Sequence, residues 1–487
     1  MRTIRAMDRS RRIIALVLLG LLALGLRVCV VLALWSEHDG PLAYEHGQIA
    51  ENLLAGRGFS IEFLGSEGPT SQQAPFYPLL LAGIYWLFGT ATPEAILAVQ
   101  LLQCVAGTAL VLAVAWLAWL LVPDRPSVGV IAALGAAVYP AHVYMVTHLQ
   151  VAVWAALLLT LLLAVVLSPY WRSTRGGALL AGSLAGVLLL VEPILALALP
   201  ICALAFWLAE GEVTWHGRFT RSAMGRVALM AAVAALIIAP WTVRNWMVHG
   251  QPVFVKSTFG YAFWQGNNPI SWGTDKIPKP SAELLRKDHD STPADMDRAL
   301  WEARHETLYI DDVLLGPGDY GEFAGLSEPQ RSKLLGRRGW EFVRAEPYRY
   351  AGLCLRRLRY FLLFDETNPK ASNRLYRVST VAWLVIASIG VVIYRGRWRR
   401  LWPTYAIFAT VTLFHTMVIV SARFRIPIEP ISFVWAAMAV APVLVGLLSY
   451  RPVRVYRPGQ RPRDPFVDEH VLRGPHYNIK KGRGVRG

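Results

Sequence analysis

The sequence predicts an all-α protein that crosses a membrane several times. Of the 487 residues, 54 % are apolar and only 17 % are charged, whereas soluble domains usually contain about a quarter charged residues. The mean hydropathy is +0.38. Many apolar residues form long blocks, and about 20 apolar residues in a helix cross a hydrocarbon core of roughly 30 Å. Helices are expected because a spanning segment must satisfy its own backbone polar groups.

Ten apolar blocks are predicted as spans. The first follows several arginines, and it is long and lacks a small-residue cleavage motif before Ser36, so we expect a retained helix rather than a signal peptide. The predicted spans are 13–35, 94–121, 128–146, 149–168, 178–194, 196–209, 226–243, 378–394, 401–420 and 428–449.

The net charge of +16 follows the predicted membrane topology. The first outer loop, 36–93, contains Arg57 as its only Lys or Arg, beside several carboxylates, whereas arginines fill the connections on the opposite side. This asymmetry matches the positive-inside rule, with both termini in the cytoplasm, and we expect an inner-membrane protein. It assigns the basic residues to topology and anionic headgroups rather than to nucleic acid.

Five segments follow from this topology. Two outer loops alternate with two membrane segments, and the second loop is long enough for a small mixed cap. The segments are a cytoplasmic N-terminus (1–12), a transmembrane core with the outer loop 36–93 (13–243), an outer, periplasmic loop (244–377), C-terminal transmembrane helices (378–449) and a basic, disordered cytoplasmic tail (450–487).

The first outer loop is predicted to carry two helices that lie along the outer membrane surface. Ile49, Leu53 and Leu54 form an amphipathic pattern that ends at Gly56-Arg57-Gly58. The apolar stretch from Pro75 to Phe88 is too short to span and fits an interfacial helix.

Glu45 lies about one turn before that amphipathic stripe. A carboxylate that is partly desolvated at a membrane surface can act as a general base. The alternative is an acid in the first helical turn that the helix dipole stabilises.

Three arginines are candidates for a phosphate site at the outer surface. Arg423 and Arg425 lie in a short outer connection, where positive charge is disfavoured. They could form a bidentate fork for phosphate, or an ion pair with Glu429. Arg244, at the outer end of a span, could line the same site or reach lipid headgroups.

Other polar residues give weaker signals. Glu192 precedes Pro193 and indicates a break between two spans near the outer surface. His142 and His148 favour a polar rim over a metal site, and the four cysteines have no metal-ligand spacing. The absence of Walker, His-Glu-x-x-His and Gly-x-Ser-x-Gly motifs leaves ATP-driven transport and zinc proteolysis without support.

Over about residues 10–445, the chain resembles bacterial members of glycosyltransferase family 39, the relatives of protein mannosyltransferases and aminoarabinose transferases within the GT-C class. Five short motifs carry the resemblance, in the family's order. They are residues 44–59, 74–80, 240–245, 264–269 and 423–430.

The resemblance implies a GT-C-like transmembrane bundle with two interfacial helices in the first outer loop. It also implies inverting transfer of a sugar from a polyprenyl-phosphate donor to an acceptor (protein, lipid or polysaccharide) on the outer face. The catalytic base then falls on Glu45, with Asp39 farther upstream as the alternative. Relatives often have an acid, sometimes metal-bound, where this chain has Gln72-Gln73, so a divalent metal is possible but has no certain ligand.

On this basis we assign the donor phosphate to Arg244, Arg423 and Arg425. The residues assigned to the sugar or the acceptor are Tyr44, Gln48, Gln73, Tyr77, Gly266, Asn267 and Asn268. The main rival is a non-enzymatic flippase or transporter of lipid-linked envelope intermediates, which the large outer loop and the absence of paired broken helices disfavour.

Overall fold

The computed structural model describes residues 9–35, 43–208, 221–277, 308–315 and 317–449, and most of these residues are helical. This confirms the predicted all-α class. The α-helices are α1 (Arg9–Ala33), α2 (Tyr44–Leu54), α3 (Phe76–Phe88), α4 (Pro93–Leu121), α5 (Pro126–Val138), α6 (Pro140–Tyr144), α7 (Ala152–Leu167), α8 (Pro169–Arg172), α9 (Arg175–Val191), α10 (Leu199–Leu208), α11 (Arg221–His249), α12 (Phe259–Gly266), α13 (Ile310–Leu314), α14 (Glu328–Ala345), α15 (Pro347–Leu362), α16 (Arg374–Ile393), α17 (Trp398–Met417) and α18 (Glu429–Ser449).

Among the described residues, five helices are long and apolar enough to cross a membrane. A bent pair raises that number to six, because α5 and the helical residues Pro140–Thr147 meet at 57°. The bend lies at Pro140, which has no N–H to donate to the preceding turn. The five helices are Ser10–Ala33, Pro93–Leu121, Ala223–His249, Arg374–Ile393 and Glu429–Gly446.

The other predicted spans also contain helices, but with different lengths. Ala152–Leu167, Arg175–Val191 and Pro193–Leu208 are apolar helices of 10–17 residues. The expected break at Glu192 is present, because α9 ends at Val191 and a 3-10 helix, Pro193–Ala198, follows. The chain is therefore a multi-pass membrane protein with fewer full-length spans than the apolar blocks suggested.

The membrane core is built around α4, which packs against α1, α5 and α7. Small side chains of α4 and α7, such as Ala115, Ala118 and Ala156, are fully buried in this core. Small residues let helix backbones approach closely, which favours association where hydrophobic exclusion from water is absent.

A buried arginine joins two of these helices. Arg27 of α1 is fully buried and donates to the carbonyl oxygens of Ala136 and Ala137 over 3.2 Å. These carbonyls lie in the last turn of α5, where the helix dipole is negative. An intramembrane cation is thus satisfied by a helix end, a partner that spacing along the chain did not reveal.

The first outer loop contains the two predicted helices, α2 and α3, which pack against each other. The helix α2 is followed by Gly56 and Gly58 at φ +76° and +73°, values that glycine adopts without steric cost. Between the helices lies an antiparallel hairpin of β1 (Ser60–Phe63) and β2 (Ser66–Pro69), with Ile61 opposite Gly68. The sequence analysis did not predict this hairpin.

The described part of the second outer loop packs α12 against α14. A Cβ on Gly260 would lie 2.1 Å from the carbonyl oxygen of Ser332, so only glycine permits this approach. A short hairpin pairs β3 (Lys276–Ile277) with β4 (Leu308–Tyr309).

Residues 1–442 form one compact unit, and residues 443–487 form a second. Of the second unit, only the end of α18 is described. The predicted tail 450–487, the first eight residues and Asp39 lie outside the described residues.

Candidate active site between the two outer loops

Glu328, the first residue of α14, ties the two outer loops together. Its carboxylate accepts hydrogen bonds from the Thr70 hydroxyl (2.5 Å), the Ser71 backbone N–H (2.8 Å) and the Ser257 hydroxyl (2.5 Å). Hydrogen bonds to an ionised group are about twice as strong as neutral ones. Glu328 therefore holds the first outer loop against the second.

Arg244, in the last turns of α11, is a second link. Its guanidinium donates to the carbonyl oxygens of Thr70 (2.6 Å) and Phe59 (2.9 Å). The same group lies over the Trp241 ring, 4.8 Å from its centroid. The structure thus uses Arg244 to hold the first outer loop, and we do not carry its phosphate assignment forward.

The segment around Lys256 lies beside the entry to α3. The Ser257 N–H donates to the carbonyl oxygen of Ser71 over 3.0 Å, and Asn245 donates to that of Val255 over 3.1 Å. The Lys256 ammonium donates to Gln73 Oε1 over 3.0 Å. Lys256 is therefore a lysine with a fixed backbone and a polar partner on the first outer loop.

Charges of both signs surround this ammonium. Burial lowers the pKa of Lys256, the carboxylates of Glu192 and Glu45 oppose that shift, and Arg423 adds to it. Glu192, Glu45 and Arg423 therefore all lie within electrostatic reach of Lys256, although the four residues come from separate parts of the chain.

His46 lies next to these cations as a neutral imidazole. Burial, with the positive charges of Lys256 and Arg423, lowers the pKa of His46 to about 3. Its ring meets the Tyr77 ring edge-on, with centroids 5.1 Å apart. Its Nδ1 atom is buried and has no hydrogen-bond partner among the described residues.

The predicted base, Glu45, and the predicted ligand Gln48 are both exposed on α2. Tyr44, at the start of this helix, has φ +46°, a region that non-glycine residues seldom adopt. The charge of Glu45 also reaches Tyr261 on α12, whose pKa is raised well above its ordinary value by burial first and then by Asp311. Glu45 thus lies within electrostatic reach of the second outer loop.

The two arginines of the 423–430 motif have opposite environments. Arg423 is exposed, and its side chain makes no hydrogen bond or ion pair to any residue that the structure describes. Arg425 is buried, and its Nε lies 2.5 Å from Glu429 Oε1. Its Nη1 donates to the carbonyl oxygens at the end of α15, including that of Leu362 at 2.8 Å. For Arg425, the sequence left open a fork for phosphate and an ion pair with Glu429, and the structure shows the ion pair.

His142 completes this buried network, because its Nε2 lies 2.9 Å from Glu429 Oε2. His148 hydrogen-bonds to Thr147 instead. The predicted polar rim is therefore in part a buried ion-pair network.

Four residues assigned to the sugar or acceptor have internal partners. The Tyr77 side chain is fully buried and donates to Gln103 over 2.8 Å. The Asn267 amide donates to the Val418 carbonyl (3.0 Å), and the Asn268 amide donates to the Trp264 carbonyl (3.0 Å). A Cβ on Gly266 would lie 2.1 Å from the Val418 carbonyl oxygen. These residues shape the wall of the site, and we leave them out of the contacts proposed below.

The residues near Glu45 do not fit a divalent cation. In the described part of the chain, no three His, Cys, Asp or Glu side chains come together as metal ligands. Gln73 is a neutral amide, and its oxygen already accepts from the Lys256 ammonium. An ammonium at this point repels a metal ion, so we derive no step through a metal.

The sequence analysis missed Lys256. The loop 244–377 contains many other Lys and Arg residues, and the topology rule carries little weight in a loop of that length, so this lysine did not stand out. The partner, Gln73, is 183 residues away along the chain, so only the fold could pair them.

The sequence matches no family model and no curated protein. Its fold is similar to that of the oligosaccharyltransferase AglB from Archaeoglobus fulgidus. One AglB structure, in complex with an inhibitory peptide and a dolichol-phosphate, aligns with a TM-score of 0.50 and 17 % identity over 89 % of this chain and 50 % of AglB. An AglB complex with Zn and sulfate gives a TM-score of 0.50 and 17 % identity over 89 % and 49 %.

The structure of ArnT from Cupriavidus metallidurans bound to undecaprenyl phosphate aligns at 18 % identity over 86 % of this chain and 77 % of ArnT. Its TM-score is 0.38. This chain spans about half the length of AglB. At this identity the likeness shows the fold alone, which is the GT-C-like membrane fold that the motifs implied. Membership of family 39 stays a prediction.

Proposed function

We propose that the protein is a membrane glycosyltransferase of the bacterial inner membrane that transfers a sugar from a polyprenyl-phosphate donor to an acceptor at the outer face. The single observation that carries the proposal is the charge arrangement between the outer loops. The Lys256 ammonium donates to Gln73 over 3.0 Å, and it lies within electrostatic reach of the exposed carboxylate of Glu45 on α2 and of Arg423. The AglB fold, in a structure that binds dolichol-phosphate, supports the same donor class.

The two cations suit the leaving group. When the bond between the anomeric carbon and the phosphate oxygen breaks, negative charge grows on the lipid phosphate. Fixed cations in a site with little water stabilise that charge in the transition state more than in the ground state. The guanidinium of Arg423 is exposed and makes no hydrogen bond or ion pair to the described residues, and Lys256 supplies an ammonium nearby. We therefore assign the donor phosphate to Arg423 and Lys256 instead of the three predicted arginines.

Glu45 suits the acceptor side. As general base it takes the proton of the acceptor hydroxyl or amine while the acceptor atom bonds to the anomeric carbon, which inverts that carbon. Positioned general bases contribute about 10²–10⁴-fold in rate. Tyr44 and Gln48, next to Glu45, and Gln73, which accepts from Lys256, remain the residues that we assign to the sugar or the acceptor.

The experiment is a turnover screen of purified protein with polyprenyl-phosphate sugars. Glu45→Gln should lower the rate at least about 100-fold, because it removes the base, and should change donor binding far less than the rate. Glu51→Gln, on the same helix, is the matched control and should stay near wild type. Asp39→Asn separates the two candidate bases, and full transfer by Glu45→Gln would overturn the assignment.

The donor side is tested by Arg423→Met and Lys256→Met, with Lys333→Met on the exposed face of α14 as the control. Each site variant should weaken donor binding about tenfold or more, in line with the loss of one charged hydrogen bond to phosphate. No turnover with any donor, together with donor flipping in liposomes, would instead support the flippase.

A further inference from the structure

The resemblance leaves a divalent metal ion possible at the entry to α3, and a cation of the protein itself lies there. The Lys256 ammonium donates to Gln73 Oε1 over 3.0 Å. Gln73 lies two residues before Pro75, at the entry to α3, where the resemblance leads one to expect an acid. The chain thus has a neutral amide and an ammonium in place of a carboxylate.

The ammonium is held in position by groups outside the site. The carbonyl oxygen of Val255 accepts from Trp241 (3.1 Å) and Asn245 (3.1 Å) on α11. On the other side, Ser257 donates its backbone N–H to Ser71 and its hydroxyl to Glu328. Lys256 is therefore fixed on both sides, as a site that relies on a preorganised charge requires.

The surrounding charges match an ammonium. Glu45 and Glu192 both stabilise positive charge on Lys256. Two carboxylates and one amide oxygen are also the kind of oxygen ligands that a hard divalent cation takes. The Lys256 ammonium already uses the Gln73 oxygen and lies within electrostatic reach of both carboxylates, so it repels a metal ion from this place.

We propose that Lys256, positioned by Gln73 and flanked by Glu45 and Glu192, takes the place of a divalent metal ion, so that this site works without one. The catalytic role of this charge rests on the proposed function, whereas the position of the ammonium follows from its hydrogen bond to Gln73 alone. It predicts that the double variant Lys256→Met with Gln73→Glu, which removes the ammonium and adds a carboxylate, gains a metal site.

The test measures Mn²⁺ binding to the purified full-length chain by electron paramagnetic resonance, with thermal unfolding as a check of the fold. Wild type and the Gln73→Glu single variant should bind no Mn²⁺ at this site, because the ammonium remains. The double variant should bind one Mn²⁺ per chain at this site, because the ammonium is gone and a carboxylate replaces the amide. A third substitution, Glu45→Gln, should weaken that binding.

A control double variant, Lys333→Met with Gln73→Glu, should behave like Gln73→Glu. Stoichiometric Mn²⁺ binding by wild type that Glu45→Gln abolishes would overturn the inference, and so would a folded double variant that binds none. Where a donor is turned over, wild-type activity should survive a chelator, and loss of activity that Mn²⁺ restores would also overturn it. If no donor is turned over, the proposed function is contradicted, and Mn²⁺ binding by the variants still tests this inference.

Discussion

The buried ion pair between Arg425 and Glu429 allows a quantitative test of which arginine is structural. Both side chains are almost fully buried, at 2 % and 1 % exposure, and Glu429 also contacts His142. Two unit charges about 4 Å apart attract by about 4 kcal/mol at an effective dielectric constant of about 20. Removal of one partner of a buried pair costs about 3–5 kcal/mol, because the other charge is left unpaired.

We therefore expect Glu429→Gln to lower the free energy of unfolding by about 3 kcal/mol. The double variant with Arg425→Met should lose less than the sum of the two single variants, with a coupling energy of at least about 1.5 kcal/mol. The assay is equilibrium unfolding in mixed detergent micelles, followed by tryptophan fluorescence.

An exposed ion pair is the matched control. Arg338 and Glu322 are 39 % and 32 % exposed, so Glu322→Gln should cost less than about 1 kcal/mol. Additive effects at Arg425 and Glu429, or a Glu429→Gln variant as stable as this control, would refute the reasoning. A folded Arg425→Met variant should bind donor like wild type, whereas Arg423→Met should not.

Three further predictions concern single side chains. Burial raises the pKa of Asp365 to about 6, so the folded state keeps a proton that the unfolded state releases near pH 4. The free energy of unfolding should therefore fall by about 2–3 kcal/mol as the pH rises from about 4 to 6. Asp365→Asn should remove this dependence in unfolding curves measured across that pH range. The pKa of His46 is about 3, so its NMR signals should not titrate between pH 5 and 8, and a midpoint near 6.5 would contradict its burial. Arg244→Met should lower the free energy of unfolding by about 2–3 kcal/mol, because the buried carbonyls of Thr70 and Phe59 lose a charged donor, and limited proteolysis of the first outer loop should become faster.

The sequence was most informative where a pattern is local. Ile49, Leu53 and the following glycines predicted both the presence and the end of α2, because helical periodicity and left-handed φ angles depend on neighbours along the chain. The short apolar stretch at Pro75 to Phe88 predicted α3 by length alone. Hydropathy placed helices at all ten predicted spans, but it could not count full crossings, since helix length depends on where packing and prolines end each helix.

The hairpin of β1 and β2 shows why other features escaped the sequence. Ile61 is buried because it packs with Ile49 and Phe59 in one apolar cluster. Four-residue strands carry too little alternation to be recognised. Their stability comes from the surface beneath them, which exists only after α2 and α11 are in place.

By itself, the sequence determined the all-α membrane class and the two short helices α2 and α3, because these follow from hydropathy and local spacing. The tertiary structure decided which charges remain available. Arg423 and Arg425 are two residues apart, yet one is exposed and the other is paired with Glu429 in the interior. Lys256 meets Gln73 across 183 residues. A cation's role depends on the partners that folding brings within hydrogen-bond distance, and those partners come from distant segments of the chain.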